Sequence, residues 1–202
     1  DNTITITDAD DIELDSAQVT ISSGFTEGDT LILANPGSLS SSFVSDSILT
    51  ISGTASLTEY ETALRSITYH STSEDPTITS FNRIISWTVT DANSESLGAE
   101  ISTAVTSTIN ITPINDPPVM SAGATLSYTE NEAAMVIDNT ITITDDDDIE
   151  IDGGTVTITS GFTEGDTLTL TTQNGISGVY NDSVLTISGT ASLANYLTAL
   201  RS

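Results

Sequence analysis

Lysine and cysteine are absent from this 202-residue chain. Only three arginines, Arg65, Arg83 and Arg201, stand against 29 acids, for a net charge of −26. Without cysteine there are no disulfides and no thiolate metal sites. Without lysine there are no lysine–asparagine crosslinks between strands. A surface this acidic repels nucleic acid and anionic membranes and attracts cations or basic partners. Taken alone, the acidity also fits solubility or salt adaptation. Aromatic residues make up 5% of the chain, thin for a sugar-stacking groove, and Trp87 alternates with Ile85 and Val89 as a core residue would. A single histidine, His70, leaves no triad despite plentiful serine. No apolar run is long enough to span a membrane, and no basic-then-apolar signal segment opens the sequence.

What is present is repetition. Asp1–Asp8 (Asp-Asn-Thr-Ile-Thr-Ile-Thr-Asp) returns as Asp138–Asp145, an offset of 137. Gly24–Asp29 returns as Gly161–Asp166 at the same offset. Ser47–Leu57 returns, with one Ile-to-Val change, as Ser183–Leu193 at 136, so one residue has been lost between. Self-similarity at a fixed period marks an array of structural units. Near-identical units suit a job done by length or number rather than by one special site. The chain reads as about one and a half units, a window cut from a longer array. The first unit lacks an opening strand whose counterpart lies in 119–137. The second stops before the counterpart of Ile67–Asp116.

Ile4/Ile6, Val19/Ile21, Leu31/Leu33, Leu49/Ile51, Ile85/Trp87/Val89 and Ile109/Ile111 each alternate with polar residues. Period-two runs predict strands with one buried face. Asn35-Pro36-Gly37, Ser23-Gly24 and Asn174-Gly175 supply the turns. Many short strands of this kind predict an all-β sandwich. One segment differs: Ser56-Leu-Thr-Glu59 reads as a capping box, and Leu57, Tyr60 and Leu64 share a helical face. A short helix over 57–65 is expected, held in both copies by packing, because Asn195 replaces Glu59 in the second. Asn115-Asp-Pro-Pro118 marks the boundary between a first domain, 1–116, and a second, 117–202.

The sharpest feature is a pair of acidic runs, Asp8-Ala-Asp-Asp-Ile-Glu-Leu-Asp15 and Asp145-Asp-Asp-Asp-Ile-Glu-Ile-Asp152. Adjacent carboxylates repel, and a loop that gathers them is relieved by a cation or by splaying into water. Hard oxygen donors select Ca²⁺. The pattern is not an EF-hand, because the sixth-position glycine and twelfth-position glutamate are missing. Thr26-Glu-Gly-Asp29 and its copy Thr163-Glu-Gly-Asp166 read as exposed turns rather than metal loops.

Thr129-Glu-Asn131, then Thr144-Asp-Asp-Asp147, the strand-ending Asp91 and the linker Asn115-Asp116-Pro117-Pro118 occur in an order that resembles the cadherin repeat. Together with Gly53-Thr-Ala-Ser-Leu57, Tyr60, Ala63-Leu-Arg65 and Tyr69, the chain resembles the cadherin-like tandem repeats of large bacterial surface adhesins. The resemblance implies Greek-key, cadherin/immunoglobulin-like β-sandwiches with calcium clustered between successive domains. Asn115 and Asp116 would contribute from the linker, and Asp145 and Asp147 from the domain that follows. Asp8, Asp10 and Asp91 would form the matching half-site at the other end of the first unit. Glu130 would serve the second domain's far junction, and Asp75 would stand in for a ligand pair. Pro113 and Pro117 occupy positions where cadherins carry further linker ligands, so one or two ions per junction are expected.

The implied role is a calcium-stiffened structural extender of a cell-surface adhesin, extracellular, whose partners are neighbouring repeats. No enzyme activity is expected, and neither nucleic-acid binding nor membrane insertion. The alternatives are an adhesive module that grips carbohydrate and a unit that assembles with its own kind into surface filaments.

Overall fold

A computed structural model describes residues 2–93, 96 and 98–202. The all-β expectation holds. The chain divides into two compact units, Asp1–Ile114 and Asn115–Ser202, each of which is described by itself.

The first unit runs β1 (Glu13–Ser23), β2 (Asp29–Leu33), β3 (Ser40–Ser45), β4 (Ile48–Ser56), α1 (Leu57–Arg65), β5 (Ile67–Ser71), β6 (Asn82–Asp91) and β7 (Val105–Asn110). Five strands form an antiparallel sheet in the order β3-β4-β1-β6-β7, and β2 pairs with β5 in a second, smaller sheet. Period-two alternation along β1 sends Ala17, Val19 and Ile21 into the core against Leu49, Ile51, Ile85 and Trp87, and a bulge between Leu14 and Ser16 brings Leu14 to the same face. Leu31 closes that core from β2, with Ile67 and Tyr69 packed against it from β5. The pairings place Ser56 and Asp91 beside the start of β1, and Ile48 and Ile84 beside its end.

The second unit runs β8 (Val119–Ser121), β9 (Thr142–Thr144), β10 (Glu150–Thr157), β11 (Ser177–Asn181), β12 (Val184–Ser192) and α2 (Leu193–Leu200). β10 pairs with β12 and β12 with β11, repeating the β1–β4–β3 arrangement; β8 pairs with β9. Its smaller core gathers Ile143, Ile176, Leu185, Ile187, Ala191, Tyr196 and Ala199.

Both helices stand where the apolar spacing placed them. Ser56 Oγ accepts from Glu59 N at 3.3 Å, and Ser192 Oγ from Asn195 N at 3.3 Å, so half of the cap survives in each copy. The reciprocal half of the predicted box does not form. Glu59 Oε1 instead accepts from the Ser38 N–H at 2.9 Å and the Ser38 hydroxyl at 2.6 Å, tying the β2–β3 loop to the helix. Packing is anchored by tyrosines: Tyr60 OH donates to the Gly53 carbonyl at 2.8 Å, and Tyr196 OH to the Gly189 carbonyl at 2.6 Å. Both glycines sit at positive φ, +130° and +123°, where a side chain is strained.

Some equivalent segments differ in their pairing. Thr142–Thr144 is a strand because β8 pairs with it. The matching 5–7, and with them Ile4 and Ile6 that were expected in a strand, lie outside any strand. Their place is set instead by Glu61 Oε1, which accepts from Ile6 N at 2.9 Å, and by Arg65, which donates to the Ile4 carbonyl. Likewise Asp29–Leu33 forms β2 against β5, whereas 166–170, with nearly the same sequence, is not a strand. A strand needs a partner for its backbone groups, and local pattern cannot supply one.

Candidate metal centre

The acidic loop of the second unit lies between β9 and β10. Asp145 folds it: Oδ1 accepts from Asp148 N at 2.9 Å and Asp147 N at 3.3 Å. That bend turns the chain back on itself, and carboxylate oxygens of Asp145, Asp147 and Asp148 lie within 4.8 Å of one another. The boundary residue Asp116 joins the same loop. Asp116 N donates to Asp147 Oδ2 at 3.1 Å, and Asn115 Nδ2 donates to the Asp116 carbonyl at 2.9 Å.

The electrostatics divide the pair. Asp145 is held below the ordinary carboxylate range, chiefly by the Asp148 N–H. For Asp147 the Asp116 N–H also favours the charged form, but burial and the neighbouring Asp145 and Asp148 carboxylates outweigh it and raise the pKa. Asp147 Oδ1 is buried and accepts no hydrogen bond. A buried, unpartnered carboxylate oxygen beside two others is an unfavourable arrangement on its own. These carboxylate oxygens could hold a metal ion.

The structure therefore brings together Asp145, Asp147 and Asp116, with differences of detail, while among the described residues Asn115 is seen bonded only to its neighbour Asp116. Asp148 joins the carboxylate group in a role the sequence reading did not give it. Asp116 acts through its backbone N–H. Glu130 is exposed in a turn closed by Glu132 N to the Thr129 carbonyl, apart from the acidic loop.

In the first unit Asp8 repeats the bend, accepting from Asp11 N at 3.1 Å and Asp10 N at 3.2 Å, and its pKa is lowered mainly by the Asp11 N–H. Asp91 ends β6 opposite Leu14 of β1, at the same end of the unit. Its carboxylate accepts from Asn93 N and Glu100 N, each at 3.0 Å, so both oxygens shape the following loop. Among the described residues, Asp8, Asp10 and Asp91 do not form a group as close as the one in the second unit. Asp75 lies beyond the far end of β1, in the loop before β6, and accepts from Thr77 N at 3.2 Å and the Thr77 hydroxyl at 3.3 Å. The last acid of each run is engaged by a threonine: Thr54 Oγ1 donates to Asp15 at 2.6 Å, and Thr190 Oγ1 to Asp152 at 2.7 Å.

Two aspartates with structural roles escaped the sequence reading. Asp29 lies under the Thr26–Asp29 turn, where Oδ2 accepts from Thr26 N at 2.8 Å and Arg83 Nε at 2.5 Å, and Oδ1 from Tyr69 OH at 2.6 Å. Arg83, 0% exposed, also donates to the Pro76 carbonyl at 2.6 Å and the Ser80 carbonyl at 2.8 Å. The motif is a turn as expected, but not an exposed one: Thr26 and Asp29 are buried, because Asp29 pairs with Arg83 beneath it. Asp138 accepts from the backbone of Gly123, Ala124 and Thr140 and from the Thr140 hydroxyl, which hold its carboxyl far below the usual range. Its four hydrogen bonds staple 123–124 to the start of the repeat. Both signals were visible only as acids retained at equivalent positions, Asp29/Asp166 and Asp1/Asp138.

Among proteins of known identity, the chain is similar to Halomucin of Haloquadratum walsbyi, 36% identical over 104 residues. The match covers 48% of this chain and 1% of Halomucin. No family model matches the chain, and no solved structure matches it. Among the described residues no helix is long and apolar enough to cross a membrane.

Proposed function

We propose that this chain is a calcium-stiffened repeat segment of a very long extracellular surface protein, an extender rather than an enzyme. The observation that carries the reading is the hydrogen bond from the boundary residue Asp116 to Asp147, whose other oxygen is buried and unpartnered beside Asp145 and Asp148. A divalent cation at that point satisfies the orphan oxygen, cancels the repulsion and ties the connecting segment to the acidic loop. Asp145, Asp147 and Asp148 supply carboxylate oxygens. Without the ion the carboxylates repel and the connection between repeats is loose. With it, successive repeats are held at a fixed angle.

Repetition supports the extender role, since near-identical units add length without adding a site. So does similarity to a relative of which 104 matched residues are 1%. Extracellular Ca²⁺ modules bind at about 10⁻⁴–10⁻³ M, a range met outside cells and not in cytosol. The test is small-angle scattering of the chain in Ca²⁺ and in EDTA, with Asp147→Asn alongside. Ca²⁺ narrows the distribution of interdomain distances in the parent and not in the variant. Profiles identical in Ca²⁺ and EDTA overturn the proposal.

A further inference from the structure

Asn110-Ile-Thr112 and Asn181-Asp-Ser183 each place a hydroxyl two positions after an asparagine with no proline between, the pattern that accepts an N-linked glycan on a surface segment. The fold decides whether these asparagines can be reached. Asn110 ends β7 opposite Asn82. Its neighbour Ile109 packs against the core, so Asn110 points, with Thr106 and Thr108, to the outer face of the five-stranded sheet. Both Asn110 and Thr112 are exposed. Asn181 closes the β11–β12 hairpin opposite Val184, with Asp182, at φ +45°, and Ser183 as the two turn residues. Asn181 is exposed and Ser183 half-buried. Neither exposure depends on a segment that one unit lacks. The matching hairpin of the first unit, Ser45–Asp46, is exposed with 67–116 in place. On the outer face of the second unit, Thr155 and Thr186 are exposed with 119–137 in place. Serine stands at 45 where the second copy has Asn181, so this pattern is not repeated in both units.

We infer that Asn110 and Asn181 are acceptor sites for N-linked oligosaccharide, with Asn110 the stronger of the two. The inference rests on the extracellular reading, because this transfer acts on chains delivered across a membrane. The co-reactant is an oligosaccharide carried on a lipid diphosphate. Asparagine Nδ2 attacks C1 of its first sugar; the N–C1 bond forms and the C1–O bond to the diphosphate breaks. The amide proton passes to a base of the transferase, and the lipid diphosphate leaves. Charge ranks the two sites. Asp182 sets a carboxylate beside the reacting amide of Asn181, where it repels the anionic donor. The residue between Asn110 and Thr112 is a neutral isoleucine. Both sites lie at the end of their unit away from its own acidic loop. Asn82, the partner of Asn110, precedes the residues that pair with the end of β1, and Val184, the partner of Asn181, pairs with Thr157 at the end of β10. A glycan at either position therefore leaves the acidic loop of that unit open.

The test is secretion of the 202-residue chain, behind a cleavable leader, from a eukaryotic host that attaches N-linked glycans. Intact mass counts the glycans. Release by peptide N-glycosidase in heavy-oxygen water then marks each asparagine that carried one as a labelled aspartate. Glycan is expected at Asn110 and, at lower occupancy, at Asn181. Thr112→Val and Ser183→Ala, which leave the asparagines in place, should each remove one glycan. Asp182→Asn should raise occupancy at Asn181. Trp87 fluorescence should give the same melting temperature for the glycosylated and the enzymatically released chain, because Asn110 faces away from the core that holds Trp87. Secreted chain bare at both asparagines, glycan that survives Thr112→Val and Ser183→Ala, or a melting temperature lowered by the attached glycan overturns the inference. Occupancy at Asn181 that equals that at Asn110 and ignores Asp182→Asn refutes the ranking. Since the leader imposes secretion, bare asparagines would count against the sites and leave the extracellular reading untouched.

Discussion

Arg83 is the residue whose loss should cost the first unit most. Replacing it with leucine leaves Asp29, 3% exposed, with a buried charge that retains Tyr69 and Thr26 as donors but loses its counter-ion. The Pro76 and Ser80 carbonyls lose their donor as well, so the loop before β6 is released together with the turn before β2. Breaking one side of a buried ion pair costs about 3–5 kcal/mol. For a unit of this size, with unfolding entropy near 2 cal/mol/K per residue, that is a fall in Tm of roughly 12–20 °C. The assay is built into the chain: Trp87 is its one tryptophan, lies in this core and donates from Nε1 to Ser107 Oγ at 3.0 Å. Its fluorescence reports thermal unfolding of the first unit. Replacing both partners, Asp29→Leu with Arg83→Leu, should recover much of the loss, since no charge is then stranded. The pH dependence gives a second check. The fold holds Asp29 below its ordinary pKa, burial opposing and the Arg83 and Tyr69 hydrogen bonds prevailing. Its contribution is therefore complete above about pH 4 and is lost as pH falls through the folded value. The double variant should lose less stability on acidification than the parent. A drop of under about 4 °C for Arg83→Leu would refute the reasoning.

Tyr60→Phe removes the donor to the Gly53 carbonyl and should cost about 1–2 kcal/mol by denaturant titration. Burial, with Asp15 and Glu59 nearby, pushes the Tyr60 phenol up to about 12, so the parent should lose this stabilisation as pH rises from about 10 toward that value and the phenylalanine variant should not. Gly189→Ala should destabilise the second unit more than Gly53→Ala does the first. Both sit at positive φ, but a Cβ at Gly189 overlaps the Gly175 carbonyl oxygen, while one at Gly53 meets Leu39 at an ordinary 3.4 Å. Asp147→Asn should leave the melting of the second unit unchanged or raised in EDTA at pH 7, because the fold raises the pKa of Asp147 and stability falls as pH climbs through it. In Ca²⁺ the same variant should melt lower than the parent.

Much of this was legible in the residues. Period two gave the strands of the first core, and Leu57, Tyr60 and Leu64 gave the helix. The cadherin resemblance implied Asp145, Asp147 and Asp116, and in the structure Asp116 donates to Asp147 beside Asp145. What failed were features that depend on a distant partner. Ile4 and Ile6 read as a strand, yet among the described residues they lie outside any strand. Asp29 and Arg83 are 54 positions apart, and no periodicity joins them. Glu59 looked like a cap for its own helix but bonds Ser38 of another loop. The grouping of Asp148 with Asp145 and Asp147 follows from the bend at Asp145, which a string of four aspartates does not reveal.

The most direct measurement is calorimetric titration of the chain with Ca²⁺, set beside the Asp145→Asn/Asp147→Asn variant. Saturable binding with a Kd of about 10⁻⁴–10⁻³ M, abolished in the variant, is the result expected. No heat of binding up to about 10 mM Ca²⁺, or equal binding by parent and variant, would contradict it.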